Sequence, residues 1–249
     1  MFNHEFCPVI DQGWIPSSTW RSFDFLEQTA PTMKRTDFLD EVPVMSSTVL
    51  GLEMLLNEPY IDLQMASELV LSDVGATIQI LRLIGNEYGI AAERPCRMGD
   101  CIASLDRRVW FGAISARTFV GDRAHSATSA VWKHCRLVAQ YAQLVAESLE
   151  GISPEDAYMV GLLHGTDAIP AALGWPRSGR GWRNQDILFA MDEALPPLVL
   201  AAIHSMDDSS TSSVWRSILS AAHELAGSRM DLDAPELHGI HPVLIGSRD

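Results

Sequence analysis

The sequence predicts an all-α protein, and three features lead there. Apolar residues recur at three- and four-residue intervals through most of the chain. Candidate helix caps (Asp62, Asp73, Asp100 and Ser153) stand just ahead of those runs. No alternating stretch is long enough to read as a convincing strand.

Composition sets the outer bounds. The chain has 249 residues, 47% apolar and 20% charged, enough for one large or two small domains with a core that needs no staples. Lys and Arg number 18 against 32 Asp and Glu, a formal net charge of −14. Such an excess repels phosphate backbones, so nucleic acid is not an expected partner. Cys7, Cys96, Cys101 and Cys135 form neither a disulfide framework nor a paired zinc-ligand spacing. Reduced thiols in a cytoplasmic protein are expected. The opening Met1-Phe2-Asn3-His4-Glu5 lacks the basic-then-apolar order of a secretory signal. The most apolar segment, Ala194 to Met206, holds Pro196, Pro197 and His204 and falls short of the ~20 residues of a spanning helix. No membrane association is expected.

Residues 1–35 scatter Pro8, Trp14, Pro16, Trp20, Phe23, Phe25 and Pro31 without period. This reads as an irregular arm whose aromatics pack on the domain; the competing reading is a partner-binding arm, or one exchanged in a homodimer. From Asp37 the pattern becomes regular. Ser47–Leu56 reads as a helix that Asn57-Glu58-Pro59 ends, because the residue before proline leaves the helical region. Asp62 caps the next helix, with Met65, Ala66, Leu69 and Val70 expected inward. Ser72-Asp73 interrupts and recaps, and Val74, Ile78, Leu81 and Ile84 then run to Gly85. Beyond a loop with Pro95 and Gly99, Asp100 is expected to cap a helix burying Ile102, Leu105, Val109 and Ala113.

In the second half Val131, Cys135, Val138, Ala142, Val145 and Leu149 keep one face for five turns. Ser153-Pro154-Glu155-Asp156 is a helix start: hydroxyl cap, proline first, then acids at the positive dipole end. Its inner face is Ala157, Val160, Gly161 and His164. Further helices are expected over Asn184–Ala194, Pro196–Met206 and Ser212–Ala226, with a polar loop at 207–211 and a tail at 228–249. Met45, Met54, Met65, Met98 and Met159 read as gap-fillers in the packing. Cys96 and Cys101 read as loop and helix-start residues.

His134, His164, His204 and His223 fall on four separate predicted helices. Helices that turn imidazoles toward one centre can build a metal site. A histidine on an apolar face is more often a hydrogen-bonded core residue, and spacing alone leaves both readings open.

The order of motifs resembles the HDOD family, the HD-related output domain of bacterial signalling proteins. Leu39-Asp40-Glu41-Val42-Pro43 and Leu55-Leu56-Asn57-Glu58-Pro59 resemble its opening. Leu69-Val70-Leu71-Ser72-Asp73, followed by Ile80 to Gly89, is similar to its aspartate-capped helix ending in Tyr-Gly. Trp132-Lys133-His134 resembles its Trp-x-His helix, and Gly161-Leu162-Leu163-His164-Gly165 its Gly-Leu-Leu-His-Asp motif. Ala201-Ala202-Ile203-His204 and Ala221-Ala222-His223-Glu224 resemble its last two helices. The resemblance spans about 36–227. It implies an N-terminal helical half (36–120) and a half (121–227) related to HD phosphohydrolases, whose histidines and aspartates hold metal ions.

Two departures count against hydrolysis. Gly165 stands where the paired aspartate belongs, and His223 occupies the late aspartate position; Asp167 is the nearest substitute. The resemblance therefore implies a non-catalytic module that signals by binding a protein, with no cofactor required. Surviving imidazoles at His134, His164, His204 and His223, with Asp167, could form a vestigial pocket that takes zinc or nickel. Two alternatives stand beside it. One is a degenerate metal-dependent phosphohydrolase. The other is a cyclic-dinucleotide sensor using Arg177, Arg180, Trp182 and Arg183, which supply guanidinium forks and an indole face. The plainer reading of that cluster is a solvated loop whose arginines pair with nearby acids.

Overall fold

The computed structural model describes residues 42–89, 94–118, 125–173, 195–207 and 213–227. The arm at 1–35, the helix expected over Asn184–Ala194 and the tail at 228–249 lie outside these residues. The regular elements among the described residues are helices, as expected, with an isolated parallel bridge between Val44 and Thr118. No helix among them is long and apolar enough to cross a membrane.

Helix α1 (Ser46–Leu56) buries Leu52, Leu55 and Leu56 and stops before Pro59. Asp62 caps α2 (Leu63–Leu71) by accepting from the Gln64 and Met65 amides. Only Ala66 and Val70 of the expected stripe are fully buried; Met65 is 50% exposed. With nine residues, α2 covers the core with a narrower face than a four-residue stripe assumes. Helix α3 (Val74–Tyr88) buries Val74, Ile78, Leu81 and Ile84 as expected but runs one turn past Gly85. Glycine inside a helix costs only about 1 kcal/mol. The stop is Gly89, whose φ of 57° suits glycine and few other residues.

The next expected helix is in fact two. Helix α4 (Met98–Ser104) starts after Arg97, with Asp100 in its first turn rather than at its cap. Leu105 and Asp106 turn extended, and Asp106 caps α5 (Arg107–Ser115) by accepting from the Arg108 and Val109 amides. The restart rotates the buried face to Trp110 and Ile114, leaving Val109 52% exposed and Ala113 half-buried. Of the methionines, Met98 and Met159 fill the core and Met45 packs against it, while Met54 is exposed. Burial pushes the Cys101 thiol up to about 12, which keeps it protonated and unreactive.

The second half is built on α6 (His125–Ala146), which packs most extensively against α7 (Pro154–Leu163) and then α10 (Val214–Gly227). Val131, Cys135, Val138 and Ala142 are buried as expected. The helix ends at Ala146, so the stripe closes on Ala146, with Val145 half-buried and Leu149 in the turn beyond. Ser153 caps α7, its hydroxyl accepting from the Asp156 amide at 3.3 Å, with Pro154 in the first turn. Removing that acceptor in Ser153→Ala is expected to cost about 1 kcal/mol, read as a lower urea midpoint at unchanged slope. A 3₁₀ turn (Thr166–Ala168) leads into α8 (Ile169–Ala172), and α9 (Pro197–Asp207) packs against α7 and α10.

The two halves meet at the junction of α2 and α3. Asp73 caps α3 through the Ala76 amide at 3.2 Å. The same carboxylate takes the Met45 amide at 2.8 Å and the Trp132 indole N–H, from α6, at 2.7 Å. One turn away, the Tyr158 hydroxyl of α7 donates to the Leu71 carbonyl at 3.1 Å. A buried carboxylate thus ties the chain before α1, the start of α3 and the long helix of the second half together.

Candidate functional site

Three imidazoles converge where α6, the end of α7 and α10 meet. His134 lies one helical step from the buried stripe of α6 and is itself buried. His164 is the residue that ends α7. His223 sits on α10 beside buried Ala222 and Leu219. The ring centroids are 5.6 Å apart for His134–His164, 5.2 Å for His134–His223 and 4.6 Å for His164–His223. One ring nitrogen from each lies within 4.8 Å of the others.

Local packing explains why His164 is so firmly placed. Helices α6 and α7 approach closely at Gly161, where a Cβ would stand 2.7 Å from the Ala139 Cα. His164 follows one turn later, and its Nδ1 meets the Gly161 carbonyl oxygen at 2.5 Å. That contact requires a proton on Nδ1 and leaves Nε2 with the lone pair, since a neutral imidazole has one donor and one acceptor. His164 Nε2 is buried and has no hydrogen-bond donor among the described residues.

Electrostatics disfavour the charged form at two of the three rings. Burial holds His164 well below the usual histidine range, and the neighbouring His223 and His134 push in the same direction. Burial also lowers His223. Neutral rings are the ligand form of histidine. No carboxylate or thiolate joins the three rings among the described residues.

The structure therefore brings together His134, His164 and His223 of the expected set. His204 falls within α9 and Asp167 within the 3₁₀ turn, but their side chains lie outside the described residues, as do Arg177, Arg180, Trp182 and Arg183. Asp73 is the residue that sequence reasoning undervalued. It reads locally as a helix cap, and its partner Trp132 lies 59 positions away. The signal was present only indirectly, in Trp132 standing two residues before His134.

Comparison with known proteins agrees with this architecture. The family model described as the HDOD domain matches residues 42–170, just over half of the chain. That stretch includes His134 and His164 and ends before His223. Two crystal structures of the MmoQ response regulator from Methylococcus capsulatus str. Bath share the fold. One is 15% identical with a TM-score of 0.63, covering 83% of this chain and 94% of that one. The other, a fragment, is 16% identical with a TM-score of 0.60, covering 84% and 93%. No curated protein matches the sequence.

Proposed function

The chain belongs to the HDOD domain family, and on that footing we propose that it is a non-catalytic signal-transduction module that works by binding another protein. The observation that carries this reading is the make-up of the histidine cluster, three imidazoles with no carboxylate beside them among the described residues. A metal-bound hydroxide that attacks a phosphoester draws on anionic oxygens to hold hard divalent cations and balance their charge. Gly165 contributes no such oxygen, and His223 contributes a neutral ring. The structural neighbours are a response regulator, in keeping with a signalling role.

The surface offers a place for a partner. Leu50 and Met54, four residues apart on one side of α1, are 58% and 66% exposed, and Tyr60 just beyond is 90% exposed. Apolar side chains grouped on a surface are a feature of protein-binding sites. Two measurements test the reading. The purified chain, supplied in turn with Mg²⁺, Mn²⁺ and Zn²⁺, is expected to show no turnover of cyclic nucleotides or phosphomonoesters above buffer. Affinity capture from the native host is expected to return a partner in saturable, fixed stoichiometry, lost in a Leu50→Glu/Met54→Glu double variant. Sustained turnover abolished by His164→Ala would overturn the non-catalytic reading. Equal capture by the double variant would remove α1 as the binding surface.

A further inference from the structure

We infer that His134, His164 and His223 form a mononuclear site for a zinc-class divalent ion, held by one ring nitrogen from each. Geometry and donor chemistry support this site whichever protein the module binds. Three ring nitrogens lie within 4.8 Å of one another. Tetrahedral zinc with ~2.0–2.1 Å bonds separates its nitrogen ligands by about 3.4 Å, so closing on an ion takes small side-chain rotations rather than a rearranged backbone. Histidine is well suited to such movement, since rotation about two torsions carries the ring nitrogen through more than an ångström.

The polar accounting points the same way. The Gly161 carbonyl fixes the His164 tautomer from the outer side, as a backbone carbonyl commonly does for a ligating histidine. This leaves a buried Nε2 lone pair that receives no hydrogen bond from the described residues. A metal ion satisfies that lone pair.

The ligand set also selects the ion. Nitrogen-only coordination suits Zn²⁺, Co²⁺, Ni²⁺ and Cu²⁺, whereas Mg²⁺ and Ca²⁺ require oxygen. Three protein ligands leave a fourth position open to water or another small ligand. Such an ion would cross-link α6, the end of α7 and α10, the three elements that form the core of the second half.

The test uses the full chain, stripped with a chelator and dialysed into metal-free buffer. Titration with Zn²⁺, followed by calorimetry and elemental analysis, is expected to give one ion per chain and a higher unfolding temperature; Mg²⁺ at the same concentration is expected to do neither. Co²⁺ is expected to give the intense visible bands of a four-coordinate, nitrogen-bound ion. His223→Ala, a half-buried position on the last described helix, is expected to weaken Zn²⁺ binding at least about 100-fold and to abolish the Co²⁺ bands, with helicity unchanged by circular dichroism. Should that variant unfold, His223→Gln provides the same comparison with less loss of volume. Absence of stoichiometric Zn²⁺ binding overturns the site, and so does binding that survives in the His223 variants. Either failure leaves the partner-binding reading intact, whereas phosphoester turnover by the zinc-loaded chain would overturn that reading and leave the site standing.

Discussion

Asp73→Ala is expected to destabilise the protein by about 3–7 kcal/mol, a large share of the ~5–15 kcal/mol that holds a typical domain folded. The substitution removes one carboxylate and strands the Ala76 and Met45 amides, the Trp132 indole and the Thr48 hydroxyl. The Ala76 amide loses its helix cap, worth about 1 kcal/mol. The Met45 amide and the buried Trp132 indole N–H each lose their partner, at about 1–3 kcal/mol for a buried donor left unsatisfied. Asp73→Asn separates charge from shape: the amide keeps one oxygen but turns an NH₂ toward a donor, so about 1–3 kcal/mol is expected. Urea unfolding followed by far-UV circular dichroism measures both. A double-mutant cycle with Trp132→Phe should return a coupling of about 1–3 kcal/mol. An alanine variant within ~1 kcal/mol of wild type would show that the junction does not hold the halves together.

The same carboxylate predicts a pH effect with a definite sign. Burial raises the Asp73 carboxyl above its ordinary value of 3.8, and the hydrogen bonds from Met45, Trp132 and Ala76 oppose that rise without cancelling it. The folded protein then keeps this proton at pH values where the unfolded chain has released it. The stability contributed by Asp73 is thus complete below 3.8, falls as pH climbs through the raised folded value, and levels off above it. Asp73→Asn is expected to remove this component, so the wild-type minus variant difference in unfolding free energy should decline across that window. A difference that grows with pH there would reverse the assignment.

Much of this architecture was legible because its signals are local. Asp62, Asp73 and Ser153 each bond to amides two or three residues on, so a cap can be read from a short window. The stripes of α3 and α6 were equally visible, since one buried face persists for several turns. Reading failed where two helices happened to share a phase. Ile102, Leu105, Val109 and Ala113 keep helical spacing across a break, and only the extended backbone at Leu105 and Asp106 reveals the restart. Met54 and Met65 were misplaced because apolar character does not say which face finds a partner. For the site, the order of motifs singled out His134, His164, His204 and His223 with Asp167, but which of them converge depends on how α10 returns to α6 and α7, a non-local property of the packing. Asp73 shows the same limit, because a cap is a local feature and a bridge between halves is not.

Gly161→Ala tests how closely packing and site are coupled. A Cβ there would stand 2.7 Å from the Ala139 Cα, 3.0 Å from its nitrogen and 3.1 Å from the Ala142 Cβ. Two of those three atoms belong to backbone, so relief requires α6 and α7 to separate rather than a side chain to rotate. Overpacking of this kind costs about 3 kcal/mol, at the upper end of its usual range. Ala142→Gly, which clears only the third contact, is expected to restore little of the loss. The displacement should also reach the imidazoles, because the Gly161 carbonyl holds His164 Nδ1 and α6 carries His134. Opening the α6–α7 crossing therefore moves the two rings apart, and Zn²⁺ affinity should fall along with the unfolding temperature. Full stability in Gly161→Ala would mean that the helices cross with more room than the 2.7 Å approach allows. Lost stability with unchanged Zn²⁺ affinity would mean that the ion sits elsewhere.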